Sequence, residues 1–303
     1  WEYVGSGDGF HVYRDPMDKN IVYASWQGGN LQRYDEKTAE TADIKPMPAA
    51  GEPKYRFNWN AAVALSPTNK AALYIGAQFL FKSTDKGSSW TKISPDLTTD
   101  NPEKQQQEKS GGLTIDNTTA ENHCTIMTIS ESPLDENIIW VGTDDGNLQI
   151  TANAGKKWEN TVKNIQGLPP NTWCPAVEAG HYDKKTAYVV FDGHRTGDMK
   201  SYAYKTEDLG RTWISLVTPE IRGYCHVIRE DLVNPRLLFL GTEFGLFVSF
   251  NGGKNWVHFK ETLPRVPVMD MCIHPVEHDL VLATHGRGIY ILDDITPLRN
   301  ITE

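Results

Sequence analysis

The sequence predicts an all-β protein, a β-propeller of about six four-stranded blades. Three observations support this prediction: an eight-residue pattern occurs four times, six β-rich runs of similar sequence recur along the chain, and helical periodicity is nearly absent. A four-stranded sheet of this size cannot bury both of its faces alone. Repeats of this kind therefore pack against one another around a central channel.

The eight-residue pattern reads Ser/Thr, any residue, Asp/Asn, any residue, Gly, any two residues, Trp. Its copies are STDKGSSW (83–90), TANAGKKW (151–158), TEDLGRTW (206–213) and SFNGGKNW (249–256). We predict a hairpin turn in which the Asp or Asn bonds backbone N–H groups, the Gly adopts a positive φ, and the Trp starts the return strand. We call each copy of this pattern a box. The predicted role is structural for all of the box residues: Asp85, Gly87, Trp90, Asn153, Gly155, Trp158, Asp208, Gly210, Trp213, Asn251, Gly253 and Trp256.

The β-rich runs define the repeats around these boxes. Four runs precede a box, at 72–78, 138–145, 186–194 and 237–244, and two further runs, at 21–29 and 280–288, have no box. They predict one domain over 1–303, with blades at about 10–48, 59–97, 122–165, 172–218, 224–262 and 266–295 plus 1–4. A polar loop, 96–120, is inserted between the second and third blades.

The two ends of the chain each look like part of a blade. The last repeat has strand patterns at 266–274, 280–284 and 288–293 but no box, and residues 1–4 (WEYV) resemble the strand that follows a box Trp. One interpretation is that residues 1–4 supply the missing outer strand and close the ring, which removes the free sheet edges. The other is that the chain belongs to a larger propeller or a longer parent chain.

Composition restricts the partners. The net charge of −9 and the lack of a basic stripe argue against a nucleic-acid partner. No run of about 18 apolar residues is present, so no membrane span is predicted. No CxxC or HxxxH spacing involves His123 or His226, so no metal site is predicted there, and no cofactor is predicted. Cys124, Cys174 and Cys225 fall near the start of successive inner strands, where buried thiols or a disulfide between neighbours are both possible.

The boxes identify a resemblance. They match Asp-boxes, also called BNR repeats, and the chain resembles the sortilin/VPS10-like family of secreted bacterial propellers often labelled glycosyl hydrolases. The resemblance extends to GEPKYRFNWN (51–60), ENHCTIMTISESP (121–133), VGTDDGN (141–147), GTEFGLFVS (241–249) and THGRGIYILDDITPL (284–298). It implies a bacterial protein that is secreted, periplasmic or exposed at the cell surface.

The boxes lie on one rim of such a propeller, so we predict the ligand site on the other face. There the connections between blades and the turns between the second and third strands bring together aromatic, carboxylate, imidazole and guanidinium groups, a mixture that suits a glycan or a peptide. Asp-boxes themselves carry no catalytic role in this interpretation. The candidate ligand-binding residues are Arg56, Trp59, His123, Asp145, Trp173, His194, Arg195, Tyr224, His285 and Arg287.

Glycoside hydrolysis is the alternative function, and it needs two suitably spaced carboxylates. The candidates are Glu243, Asp144 and Asp192. Asp-box xyloglucanases carry a catalytic Asp in the corresponding turn of the first blade, but here that turn is 25–29, SWQGG, with no carboxylate. Sialidases use an Arg-Ile-Pro motif that is not found. The sequence therefore favours a binding or scaffolding module over an enzyme.

Overall fold

The computed structural model describes residues 4–109, 117–260 and 263–301. The prediction of a six-bladed β-propeller with almost no helix is confirmed. Each blade is an antiparallel sheet whose strands are joined in chain order, and five of the six sheets have four strands. The chain divides into two compact units, Trp1–Asn160 and Thr161–Glu303, with three blades in each.

The first unit holds blades one to three. Blade one consists of β1 (Gly9–Arg14), β2 (Ile21–Trp26), β3 (Asn30–Asp35) and β4 (Glu40–Asp43). Blade two consists of β5 (Val63–Leu65), β6 (Leu73–Gly76), β7 (Leu80–Ser83) and β8 (Thr91–Lys92). Blade three consists of β9 (Ile126–Ser132), β10 (Asp135–Thr143), β11 (Leu148–Thr151) and β12 (Glu159–Asn160).

The second unit holds blades four to six. Blade four consists of β13 (Trp173–Ala179), β14 (Ala187–Asp192), β15 (Tyr202–Thr206) and β16 (Ile214–Ser215). Blade five consists of β17 (Cys225–Glu230), β18 (Leu238–Thr242), β19 (Gly245–Ser249) and β20 (Val257–Phe259). Blade six consists of β21 (Val268–Ile273), β22 (Leu280–Thr284) and β23 (Ile289–Leu292), and the short α-helix α1 (Thr296–Arg299) follows it.

The second strands of the blades form the core. Every residue of β6, β14 and β18 is buried, because both faces of each sheet are covered. The β-rich runs of the sequence coincide with these strands, which explains why they read as almost continuous apolar segments. The fourth strands are short and largely exposed, and β8 and β16 contain two residues each.

The box turns, defined as residues 83–90, 151–158, 206–213 and 249–256, join the third and fourth strands of blades two to five. In the first of them, Asp85 Oδ1 accepts hydrogen bonds from Ser83 Oγ and Ser89 N, both at 2.8 Å. Gly87 N donates to Ser83 Oγ at 2.9 Å, with Gly87 at φ +81°. The corresponding bonds form in the other three box turns.

The sixth sheet has three strands among the described residues, with β23 at its outer edge. The prediction that residues 1–4 supply a fourth strand falls mainly on residues 1–3, which lie outside the described part of the chain. Within that part, no helix is long and apolar enough to cross a bilayer. All four cysteines are free thiols, three of them buried and Cys272 exposed.

Candidate functional site

In the first unit, Asp144 lies at the centre of a buried hydrogen-bonded group that we call the Asp144 cluster: Asn58, His123, Thr125 and Asp144. Asp144 Oδ1 accepts from Thr125 N at 2.8 Å, and Oδ2 accepts from Thr125 Oγ1 at 2.6 Å and Asn58 Nδ2 at 3.0 Å. His123 Nδ1 lies 3.4 Å from the same oxygen. The Asp144 side chain has no exposed surface, so its oxygens hold neighbouring segments of chain in place.

Asp145 and Arg56 hold the start of the inserted loop. Asp145 is buried, and its Oδ2 accepts from Thr99 N at 2.6 Å and Thr99 Oγ1 at 2.7 Å. Arg56 forms ion pairs with Asp96 at 2.7 Å and Asp100 at 3.1 Å. Both candidate ligand-binding residues therefore already contact the 96–100 segment of their own chain, which places that segment next to the Asp144 cluster.

The remaining candidate of this unit is Trp59. It follows the cluster residue Asn58, is half-buried, and its carbonyl accepts from Gly28 N at 3.0 Å. Its backbone therefore contacts the turn of blade one, where the sequence has no carboxylate.

In the second unit, six of the nominated residues lie in a continuous group with His226. We call this group the aromatic cluster: Trp173, Asp192, His194, Arg195, Tyr224, His226 and Glu243. It is built where strands end, because Asp192 closes β14 opposite Trp173 at the start of β13, and His194 and Arg195 follow in the 3-10 turn after β14.

His194 joins the carboxylate to the aromatic residues of the cluster. Both oxygens of Asp192 lie 2.7 Å from His194 Nδ1, and Asp192 Oδ1 also accepts from His194 N at 2.9 Å. The imidazole stacks on Tyr224 with ring centres 4.4 Å apart and an interplanar angle of 15°. Asp192 thus fixes the orientation of a ring that supports Tyr224.

Tyr224, His226 and Glu243 form the deeper side of the aromatic cluster. Tyr224 meets His226 edge to face at 5.1 Å, and His226 Nε2 lies 3.5 Å from Glu243 Oε2. Burial, followed by the neighbouring Glu243 carboxylate, raises the pKa of Tyr224 to about 12, so its hydroxyl remains a proton donor. Burial lowers the pKa of His226, although Asp192 and Glu243 oppose this shift.

Trp173 and Arg195 form the exposed side. The Arg195 guanidinium lies 4.1 Å from the centre of the Trp173 ring, a cation–π contact. Arg195 is exposed and Trp173 is half-buried, so both can reach a ligand. His285 and Arg287 are exposed on the turn between β22 and β23, and within the described residues no side-chain hydrogen bond or ion pair connects them to the aromatic cluster.

Sequence reasoning did not nominate several residues that complete these groups. Asn58, Thr99 and Thr125 saturate the buried carboxylates, and His226 joins Tyr224 to Glu243. Only two positions could have indicated them: Asn58 lies in the connection between blades one and two, and His226 lies near the start of β17. No group of three or more His, Cys, Asp or Glu side chains suited to a metal occurs in residues 4–109, 117–260 and 263–301.

No protein-family model matches the sequence, and no curated protein matches it. Solved structures do match. The GH74 enzyme of Niastella koreensis superposes with a TM-score of 0.64 at 18% identity, over 95% of this chain and 45% of that chain. The GH74 xyloglucanase of Xanthomonas campestris gives a TM-score of 0.64 at 17% identity, over 93% of this chain and 44% of that one.

Two other kinds of protein share the fold. The extracellular domain of a hybrid two component system from B. thetaiotaomicron gives a TM-score of 0.62 at 15% identity, over 96% of this chain and 34% of that one. YCF48 bound to D1 peptide gives a TM-score of 0.54 at 15% identity, over 99% of this chain and 88% of that one. The chain spans less than half the length of the GH74 structures. Identities this low establish the β-propeller fold alone.

Proposed function

We propose that this chain is an extracellular Asp-box propeller of the sortilin/VPS10-like kind, and that it binds a glycan or a peptide rather than catalysing a reaction. The recurrence of one hydrogen-bond pattern in four box turns supports the Asp-box assignment. The extracellular propeller domain of the B. thetaiotaomicron protein supports the proposed location.

The accessibility of the three candidate carboxylates is the observation that favours binding. Side-chain exposure is 0% for Asp144, 8% for Asp192 and 29% for Glu243. A glycosidase needs two carboxylates that flank the scissile bond. Asp144 is saturated by hydrogen bonds and Asp192 is held by His194, so within the described residues Glu243 is the candidate best placed to meet a substrate.

The aromatic cluster is the proposed binding surface. Trp173 with Arg195, and Tyr224 with His194, present stacked rings and a cation at the ends of neighbouring strands. Such surfaces bind sugars and peptides by stacking combined with a few directed hydrogen bonds. Glu243 and the protonated hydroxyl of Tyr224 supply an acceptor and a donor.

Two substitutions test this proposal. The probes are a xyloglucan oligosaccharide, chosen because of the GH74 relatives, and an array of short peptides. Trp173→Ala should weaken binding of a probe that binds the wild type by about 1–3 kcal/mol, the usual loss for an aromatic anchor. Exposed Val233→Ala, in the same unit but away from the cluster, is the control. A Trp173→Ala variant that binds like the control contradicts the proposed surface.

A hydrolase of the xyloglucanase or sialidase type is the second candidate, because Glu243 adjoins both Tyr224 and His226. Glu243→Gln separates the two functions because it removes the charge and nearly preserves the shape. A hydrolase loses turnover of xyloglucan or a sialoside by orders of magnitude while binding persists. A binding module shows no turnover in either form, which a reducing-sugar assay measures.

A further inference from the structure

A cavity of about 420 Å³ lies beside blade five, and its lining includes Phe244, which follows Glu243 in the sequence. Arg222, Lys260 and Arg265 supply three cations to its lining, and His258 supplies an imidazole. Phe244, Leu263 and Pro264 supply the apolar part. Its volume falls within the range of pockets that hold small ligands. None of these residues belongs to the aromatic cluster.

The three cations have no carboxylate partner within the part of the chain that the structure describes. Among the described residues, no ion pair joins Arg222, Lys260 or Arg265 to a carboxylate, although acidic residues elsewhere in the unit pair with arginine, lysine or histidine. The chain as a whole carries a net charge of −9. A local excess of positive charge in an acidic protein raises the local concentration of anions and attracts an anionic ligand.

The lining is also held in a defined arrangement. The Arg265 guanidinium lies 4.6 Å from the centre of the Phe244 ring, which leaves its N–H edges available to an oxyanion. Phe244 is fixed in turn, since its carbonyl lies 3.1 Å from His258 Nε2 and its N–H donates to Thr242 Oγ1 at 3.2 Å. His258 stacks on Phe247 at 4.7 Å.

Glycine provides the space for this arrangement. A Cβ on Gly223, at φ +81°, would lie 3.0 Å from Phe244 Cδ2 and 2.9 Å from Glu243 Cβ. Only a residue without a side chain at position 223 allows Glu243 and Phe244 to approach its backbone this closely. The turn thus directs Glu243 towards His226 and Phe244 towards Arg265.

We propose that this cavity binds an acidic saccharide, a sugar that carries a uronate carboxylate or a sulfate ester. Guanidinium and ammonium groups form charge-assisted hydrogen bonds to such oxyanions, and Phe244, Leu263 and Pro264 face the apolar side of the ring. An extended peptide is held mainly by backbone hydrogen bonds to a strand edge. Arg222, Leu263, Pro264 and Arg265 lie outside the strands, and Pro264 has no N–H, so the cavity suits a sugar better than a peptide.

Calorimetric titration with trigalacturonate tests the proposal, and its methyl ester, which lacks the charge, is the matched ligand. Trigalacturonate should bind, its affinity should fall as salt is raised because the cations are exposed, and the ester should bind at least about tenfold more weakly, as expected for lost charged hydrogen bonds. Equal binding of the two ligands overturns the proposal. Tighter binding of an acidic peptide, such as a hexamer of glutamate, overturns the choice of a sugar.

Variants locate the site. Arg222→Gln and Lys260→Gln should each weaken trigalacturonate binding by about tenfold. Lys254→Gln removes an exposed charge outside the cavity and should have no effect. Trp173→Ala should also have no effect, which separates this site from the aromatic cluster. An equal loss in Lys254→Gln indicates non-specific attraction and contradicts the site. Thermal melts establish that the exposed substitutions leave the fold intact.

Discussion

At the scale of single residues, the same pairing occurs in three places: a buried carboxylate accepts a hydrogen bond from a tyrosine hydroxyl. Tyr23 OH donates to Asp15 at 2.6 Å, Tyr74 OH to Glu131 at 2.5 Å, and Tyr188 OH to Glu230 at 2.8 Å. Burial, together with each carboxylate, raises the pKa of all three tyrosines, so the hydroxyls remain donors. A buried carboxylate without such a partner would be strongly unfavourable.

His181 and His226 lie in the same unit and have pKa shifts in opposite directions. Burial lowers the pKa of His181, but the hydrogen bond and the charge of Glu178 outweigh this effect. The pKa of His181 is therefore raised above its ordinary value of 6.5. Burial lowers the pKa of His226, and the carboxylates of Asp192 and Glu243 oppose this only in part. The two side chains should therefore affect stability with opposite pH dependence.

We expect His181→Gln and His226→Gln to reveal this difference. Stabilisation by charged His181 is complete below pH 6.5 and is lost as the pH rises through its folded pKa. Neutral His226 is favoured in the folded state, so its contribution to stability is present above pH 6.5 and is lost as the pH falls through its lower folded pKa. His226→Gln should therefore lose less stability than the wild type as the pH falls over this range. Urea unfolding from about pH 5 to 8 measures both effects. Parallel stability curves for the two variants would contradict this expectation.

A second prediction concerns Asp85. Hydrogen bonds from the Ser89 side chain and backbone, and from Ser83, lower the pKa of Asp85 to about 2. Its stabilisation is therefore present above pH 3.8 and lost as the pH falls through about 2. Asp85→Ala should lower Tm by a few degrees. Asp85→Asn should lower it less, because Asn153 accepts the equivalent backbone bond in its own box turn.

Scanning calorimetry of both Asp85 variants checks this order. Ligand affinity should not change in either one, since the proposed binding surface lies in the other unit. A loss of affinity at unchanged stability would show that the box turn has a functional role.

The box turns connect neighbouring blades at the scale of the element. Trp90 Nε1 donates to Ile44 O at 2.6 Å, Trp158 Nε1 to Ile93 O at 3.1 Å, and Trp256 Nε1 to Leu216 O at 2.9 Å. Each acceptor lies just after the last strand of the preceding blade. We predicted that each Trp starts the return strand, and in these three turns the structure adds a bond to the blade before it. The box turns therefore also contribute to blade packing.

Gly155 provides a test of this contact. A Cβ at Gly155 would lie 2.3 Å from Ile93 O, and its φ is +90°. Exposed Gly51 in the same unit has a similar φ of +88° with nothing within 4 Å of such a Cβ. Gly51→Ala should cost about 1–2 kcal/mol from backbone strain alone, and Gly155→Ala should cost more because the Ile93 carbonyl must move. Chemical denaturation measures both, and equal losses would contradict the inter-blade role.

The inserted loop 96–120 illustrates how an element gains order from distant contacts. Its composition indicated a polar insertion between the second and third blades. In the described parts, Arg56 and Asp145 bind its first residues, and Gln107 Nε2 donates to Asn122 Oδ1 at 3.1 Å. These contacts hold Asp96 and Thr99 next to residues that adjoin the Asp144 cluster, and Gln107 next to Asn122.

At the scale of the whole molecule, closure of the ring by residues 1–4 stays a prediction from the sequence. Among the described residues β23 pairs with β22 alone, and Ile289 and Ile291 are 72% and 57% exposed. Unpaired apolar edges favour aggregation. Deletion of residues 1–4 should lower Tm by several degrees if they pair with this edge, and an unchanged melting curve would contradict closure by the N-terminal strand.

The sequence by itself determined the fold class, the strands and the box turns, because each depends on short-range physics: alternation and turn chemistry act within a few residues. Lys86, at φ +59° beside Gly87, shows that even there the turn needs a second left-handed residue that the pattern did not specify. Tertiary structure decided which polar groups are accessible. Asp144 and Glu243 follow similar strands, yet Asp144 is fully buried among Asn58 and Thr125, whereas Glu243 keeps 29% of its side chain exposed. Burial and hydrogen-bond partners come from segments distant in sequence, so only the folded chain distinguishes a structural carboxylate from one that can meet a ligand.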